Sequence, residues 1–104
     1  MVEPDFVFYD RATGLKNLNG GNVLFAAEVA DTSLAYDLGS KSRVYAAFGV
    51  RELWVIDALK LLTHVMTGPS EAGYANVRRM PGSTLIAPLF APELAVTISE
   101  LDLV

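Results

Sequence analysis

The stretch that most constrains this chain is Asn22 to Val50, NVLFAAEVADTSLAYDLGSKSRVYAAFGV, where an apolar run carrying one acid leads into a segment carrying one lysine. Val23 to Ala30 has the length and composition of a β-strand, interrupted by the single charge of Glu28. A carboxylate in such a run needs water, a partner or a function, so Glu28 is either an edge-strand residue facing solvent or part of a site. Asp31, Thr32 and Ser33 follow, residues whose side-chain oxygens accept the first unpaired N–H groups of a helix. Leu38, Tyr45 and Phe48 then recur at helical spacing, and Gly49 supplies the left-handed residue that commonly ends a helix. The pattern predicts a strand and then a helix, with Lys41 on about the second helical turn, close to the strand that bears Glu28.

A length of 104 residues suits one domain spanning 1–104. A hydrophobic fraction of 52% and a mean hydropathy of +0.35 are high for that size and predict a thoroughly buried sheet or a surface covered by another chain, so a homo-oligomer is expected. Cysteine is absent, which excludes disulfides and thiolate metal sites and leaves carboxylates, carbonyls or His64 as metal donors. The start, MVEPDF, lacks the basic and apolar regions of a signal peptide, and no run approaches the roughly 18 apolar residues of a membrane span. These features predict a soluble cytoplasmic protein without a membrane partner. The net charge of −4 argues against a broad electrostatic footprint for nucleic acid, so any contact with phosphate should be local and metal-assisted.

Taken in order, the chain opens with Pro4 and a predicted strand over Asp5 to Tyr9, then a long Gly- and Asn-containing loop over Arg11 to Gly21 that returns it antiparallel into Val23 to Ala30. If Tyr9 pairs with Leu24, Asp5 falls directly opposite Glu28, and the two carboxylates share a face. Beyond the helix, Leu53 to Asp57 (LWVID) reads as a strand parallel to the Glu28 strand, because strand-helix-strand connections within one sheet are almost always right-handed crossovers. Asp57 at its end is favoured as a turn residue over a ligand. Leu61 to Met66, a turn over Gly68 to Gly73 and a return over Tyr74 to Arg79 form an appended hairpin. Thr84 to Ala87 reads as a short strand, and the remainder ends in a short helical piece.

Two carboxylates on one face make a hard-oxygen site for Mg²⁺ or Mn²⁺, and a nearby lysine can stabilise charge developing on a phosphate. Asp5, Glu28 and Lys41 therefore suit phosphodiester hydrolysis, although by spacing alone such a triple is a weak signal. The residues also resemble a known family. Pro4-Asp5, Glu28-Val29-Ala30-Asp31-Thr32-Ser33-Leu34, Tyr36-Asp37, Lys41, Tyr45-Ala46, Gly49-Val50 and Trp54-Val55-Ile56-Asp57, together with Gly73-Tyr74, Arg78-Arg79, Ala87-Pro88 and Leu94-Ala95-Val96, are similar to the Uma2 family of the PD-(D/E)XK nuclease superfamily. The resemblance implies a restriction-endonuclease-like core, DNA as substrate, Asp5 and Glu28 as ligands of Mg²⁺ or Mn²⁺, and Lys41 as the catalytic lysine in the cleavage site. Ala30 stands where the superfamily motif has its lysine, and Lys41 on the following helix resembles a migrated replacement, reaching into the space left by a methyl group. Relative to the family the chain starts almost at Pro4-Asp5, which predicts a shortened N-terminus and a sheet face lacking its usual cover.

The remaining candidates carry plainer readings. Without the resemblance Lys41 is a solvated helix residue, and Tyr45, one helical turn on, packs on the sheet or lines the site. His64 lacks a second ligand at recognisable spacing and reads as a strand residue. Trp54 reads as core with one partner needed for its indole N–H, and Arg78-Arg79 as solvated hairpin arginines. The sequence thus predicts an α/β fold, a restriction-endonuclease-like mixed sheet with one crossover helix and an appended hairpin. It supports a Mg²⁺-dependent DNA endonuclease, with a catalytically inactive, homo-oligomeric interaction module of the same fold as the alternative.

Overall fold

A computed structural model of the chain describes residues 6–9, 23–30, 34–89 and 91–100. The expectations resting on Asp5, on the helix-start residues Asp31 to Ser33 and on the Arg11 to Gly21 loop lie outside the described residues. A five-stranded sheet runs in sequence order through β1 (Phe6–Tyr9), β2 (Val23–Ala30), β3 (Glu52–Asp57), β4 (Leu62–Ser70) and β5 (Gly73–Pro81). Only β2 and β3 are parallel, because only they are joined by a helix; every other neighbour pair is antiparallel. This is the mixed sheet, single crossover helix and appended hairpin predicted above. Central β3 is buried at all six positions, as its nearly continuous apolar run requires.

Between β1 and β2 the expected register holds from Phe6 opposite Ala27 to Phe8 opposite Phe25. It then shifts, so that Tyr9 pairs with Val23 and not with Leu24: an extra residue on the β2 side is the signature of a bulge. The hairpin also departs from expectation. β4 and β5 stay paired through Pro69 opposite Tyr74 to Ser70 opposite Gly73, leaving a two-residue turn where the Gly and Pro content suggested a six-residue loop. Pro69 is tolerated there because β3 stops pairing with β4 at Thr67, so β4 needs no donor toward that side.

The crossover helix consists of three consecutive segments, Leu34–Tyr36, a π-helical Asp37–Lys41 and Ser42–Phe48. Gly49 closes it at φ 88°, donating to the Ala46 carbonyl while Val50 N–H donates to the Tyr45 carbonyl, the paired bonds of a Schellman turn. Ser42, Tyr45 and Ala46 are buried, but Phe48 is 53% exposed, contrary to the periodicity read from the sequence. At 100° per residue the buried arc centred between Tyr45 and Ala46 leaves Phe48 roughly 100° away, turned to the helix flank.

One sheet face packs against the helix through Ala26, Ala30, Leu53, Val55, Met66, Tyr45 and Val50. The other is covered by the C-terminal segment: Ile86 and Ile98 pack with Phe25, Ala27, Trp54, Ile56 and Val65. That segment forms a second small sheet of β6 (Leu85–Ile86) and β7 (Val96–Thr97), tied back by the Ser99 N–H to the Gly82 carbonyl. Both faces of β2 to β4 are thus covered from within the chain, where a bare face was expected. Among the described residues no helix is long and apolar enough to cross a membrane.

Candidate active site

Glu28 lies on the helix-facing side of β2, between Ala26 and Ala30, and is 4% exposed, which excludes the solvated edge-strand reading. Directly opposed residues share a face, so the pairings Glu28 with Val55, Val55 with His64 and His64 with Arg79 form one row across four strands beneath the helix. The apolar neighbours strip Glu28 of water, and two helix side chains replace it. Lys41 Nζ is 2.9 Å from Glu28 Oε2, and the Tyr45 hydroxyl donates to Glu28 Oε1 at 2.5 Å. A buried charge is tolerated when it is paired and hydrogen-bonded, and both conditions are met.

The π-helical segment sets this arrangement. In a regular α-helix four residues advance roughly 40° beyond a full turn, so residues at i, i+4 and i+8 drift steadily round the helix. The wider π turn makes four residues fall short of a full turn, and the drift from Asp37 to Lys41 opposes that from Lys41 to Tyr45. All three side chains therefore point at the sheet. Gly39 and Ser40 lie within the segment, and the Ser42 hydroxyl donates to the Leu38 and Gly39 carbonyls, at 2.7 and 2.9 Å, where the backbone ladder is altered. Asp37, to which the sequence assigned no role, is 3% exposed and its Oδ1 lies 3.7 Å from Lys41 Nζ. Its signal in the sequence was the i, i+4 acid–lysine spacing.

Other expectations resolve individually. Tyr45, weighed as packing or lining, does both: its ring joins the core and its hydroxyl reaches Glu28. Asp57 is a turn residue, its Oδ1 accepting from the Leu59 and Lys60 N–H groups at 3.0 and 3.1 Å. Trp54 is core, and its indole N–H donates to Glu52 Oε2 at 2.8 Å. Glu52, missed from the sequence, is 1% exposed and also accepts from the Leu89 N–H at 2.7 Å through Oε1, fastening the C-terminal segment across the sheet. His64 is a buried β4 residue whose Nε2 has no hydrogen-bond partner among the described residues, and its pKa is lowered by burial first and by Arg79 second, against a raising effect of Asp57. Arg78 and Arg79 are exposed on β5.

Among the described residues no three His, Asp or Glu side chains cluster closely enough to hold a metal. The donor chemistry at Glu28 nonetheless fits a hard cation. A carboxylate offers about four lone-pair positions, and Tyr45 and Lys41 occupy one on each oxygen.

The mixed sheet, the crossover helix and the buried acid paired with a helix lysine between them define a protein of the restriction-endonuclease-like α/β class. The chain belongs to the Uma2 family, whose model, described as "Putative restriction endonuclease", matches residues 1–99. No curated protein matches the chain.

Proposed function

We propose that the protein is a divalent-metal-dependent DNA endonuclease that adds water across a phosphodiester bond, with Asp5 and Glu28 holding Mg²⁺ or Mn²⁺ and Lys41 acting at the scissile phosphate. The observation that carries this reading is the contact of buried Glu28 with part-buried Lys41, 2.9 Å apart under the helix of a nuclease-family fold. The register from Phe6 to Phe8 matches the pairing on which the role of Asp5 was inferred. A bound cation would supply Lewis acidity toward the phosphate. Lys41 contributes a mobile ammonium that pairs with a phosphate oxygen as negative charge grows there, and Tyr45 fixes the Glu28 carboxylate in one orientation. Self-association belongs to this reading through exposed apolar residues such as Leu59, Leu85 and Leu89, and light scattering at micromolar concentration measures it.

The rival is a nuclease-fold interaction module without cleavage, favoured by the same geometry read differently: Lys41 and Tyr45 already satisfy Glu28 as a closed structural ion pair. Calorimetric titration with Mg²⁺ and Mn²⁺, followed by plasmid and single-stranded DNA cleavage, separates the two. The nuclease reading expects Glu28→Ala to abolish metal binding and Asp5→Ala to weaken it. Lys41→Ala should keep metal affinity while losing about 10²-fold or more in cleavage. Wild-type protein that binds metal no better than Glu28→Ala, and cuts no DNA, supports the module.

A further inference from the structure

We propose that Asp37 is a positioning residue that keeps the Lys41 ammonium at the site once the oxygens of Glu28 are engaged by a cation; the inference rests on the nuclease reading above. Lys41 Nζ lies between two carboxylates, Glu28 Oε2 at 2.9 Å and Asp37 Oδ1 at 3.7 Å, whose side chains are only 5% and 4% exposed. The two acids differ in what carries them. Glu28 belongs to the sheet and is held from its other oxygen by Tyr45, whereas Asp37 sits four residues before Lys41 in the same π-helical segment. The Asp37–Lys41 contact is therefore set within one element and does not depend on the strand.

The distinction matters when a divalent cation binds. Glu28 then shares its charge with the cation, and two positive groups at one carboxylate repel each other. The stem of a lysine is flexible, and the Lys41 side chain, 16% exposed, already borders solvent, so a second carboxylate, as counter-ion, limits its swing outward. Asp37 supplies that counter-ion from inside the protein, where screening by water and salt is weak. Its longer distance to Nζ suits the role, because a loosely held ammonium can move toward a phosphate oxygen without leaving its anchor. The π-helical segment is what aims both residues at the sheet, and such segments concentrate at functional sites.

The test has two arms. In the metal-free protein, a ¹⁵N-detected ammonium signal, assigned to Lys41 by its loss in Lys41→Arg, reports whether the group is held. It should persist in Glu28→Gln, weaken in Glu28→Gln/Asp37→Asn and recover in Glu28→Gln/Asp37→Glu. Asp37→Ser replaces Asp37→Asn if circular dichroism shows that the latter does not fold. A signal that vanishes in Glu28→Gln alone, or is as strong in the double substitution as in Glu28→Gln, overturns the proposal. In the cleavage arm, Asp37→Asn should lower kcat at saturating Mg²⁺ by on the order of 10- to 100-fold, the scale of a misplaced catalytic group, with metal Kd and DNA KM unchanged. A matching loss of metal affinity would make Asp37 a ligand and refute the positioning role. If wild-type protein cuts no DNA, the nuclease reading fails, and the ammonium signal still decides whether Asp37 holds Lys41.

Discussion

The Tyr45 hydroxyl donates to Glu28 Oε1 across 2.5 Å, joining residues 17 apart in sequence and fastening the crossover helix to the strand beneath it. The bond resolves a conflict in the chain, because Glu28 is a charge placed among apolar residues and cannot recover water. Tyr45→Phe keeps the ring in the core and removes only the donor. It should destabilise the protein by about 1.5–3 kcal/mol, the range for a hydrogen bond to a charged group, measured as a lower urea midpoint at unchanged m-value. A variant as stable as wild type would show that Lys41 alone satisfies Glu28.

A second buried carboxylate holds the opposite face. Glu52 accepts from the Trp54 indole and from the Leu89 N–H, so Glu52→Ala leaves the buried indole donor unpaired, at about 1–3 kcal/mol, and releases the part-buried Leu89 N–H. The local consequence is distinctive. Amide exchange at Leu89 should accelerate far more than in β3, and tryptophan emission should shift as the neighbourhood of Trp54 loosens; uniform acceleration would count against a clamp.

The pH dependence of stability should carry the mark of His64. Burial and Arg79 lower its pKa below the ordinary 6.5, so the folded protein holds it neutral and the unfolded chain protonates first. Its contribution to stability is complete above the unfolded value and is lost as pH falls through the lower folded value. The melting temperature should drop between pH 7 and pH 5, and His64→Gln should flatten that drop. Equal slopes in the two proteins would assign the acid sensitivity to the carboxylates.

Gly82 marks a close approach of two backbones. A Cβ there would meet the Leu61 carbonyl oxygen at 2.7 Å and the Leu61 Cβ at 2.9 Å, and Leu61 already occupies the left-handed region at φ 52°. Neither turn has slack to yield. Gly82→Ala should cost about 1–3 kcal/mol, the range for overpacking, read from thermal melts, with loosening around Ser99, whose N–H bonds to the Gly82 carbonyl. A neutral result would show that the turn around Leu61 relaxes freely.

Much of this protein is local in its causes, and those parts could be read from the chain. The apolar run of β3 needs burial on both sides wherever it sits, and a strand-helix-strand connection dictates a parallel pair; together they determined the sheet order around β2 and β3. Glu28 was legible as a charge in need of a partner or a function because it interrupts an apolar strand, whereas Lys41 entered the site only through the family resemblance, since its own neighbours read equally as a solvated helix face. The turn role of Asp57 followed from its own side chain, which bonds its backbone two and three residues on.

Tertiary packing decided the rest. Helical periodicity assumes a constant turn, and the π-helical Asp37–Lys41 breaks that assumption, bringing Asp37 to face the sheet; Phe48 is turned to the flank because packing centres the buried arc on Tyr45 and Ala46. Glu52 could not be identified from its neighbours, since its partner Leu89 lies 37 residues away and meets it only after the C-terminal segment folds across the second face. That same segment covers a face that composition alone would assign to a partner chain. The sequence by itself determined which residues must be buried and which charges need partners; the three-dimensional packing determined which partner each received, because that depends on distances that close only when distant segments meet.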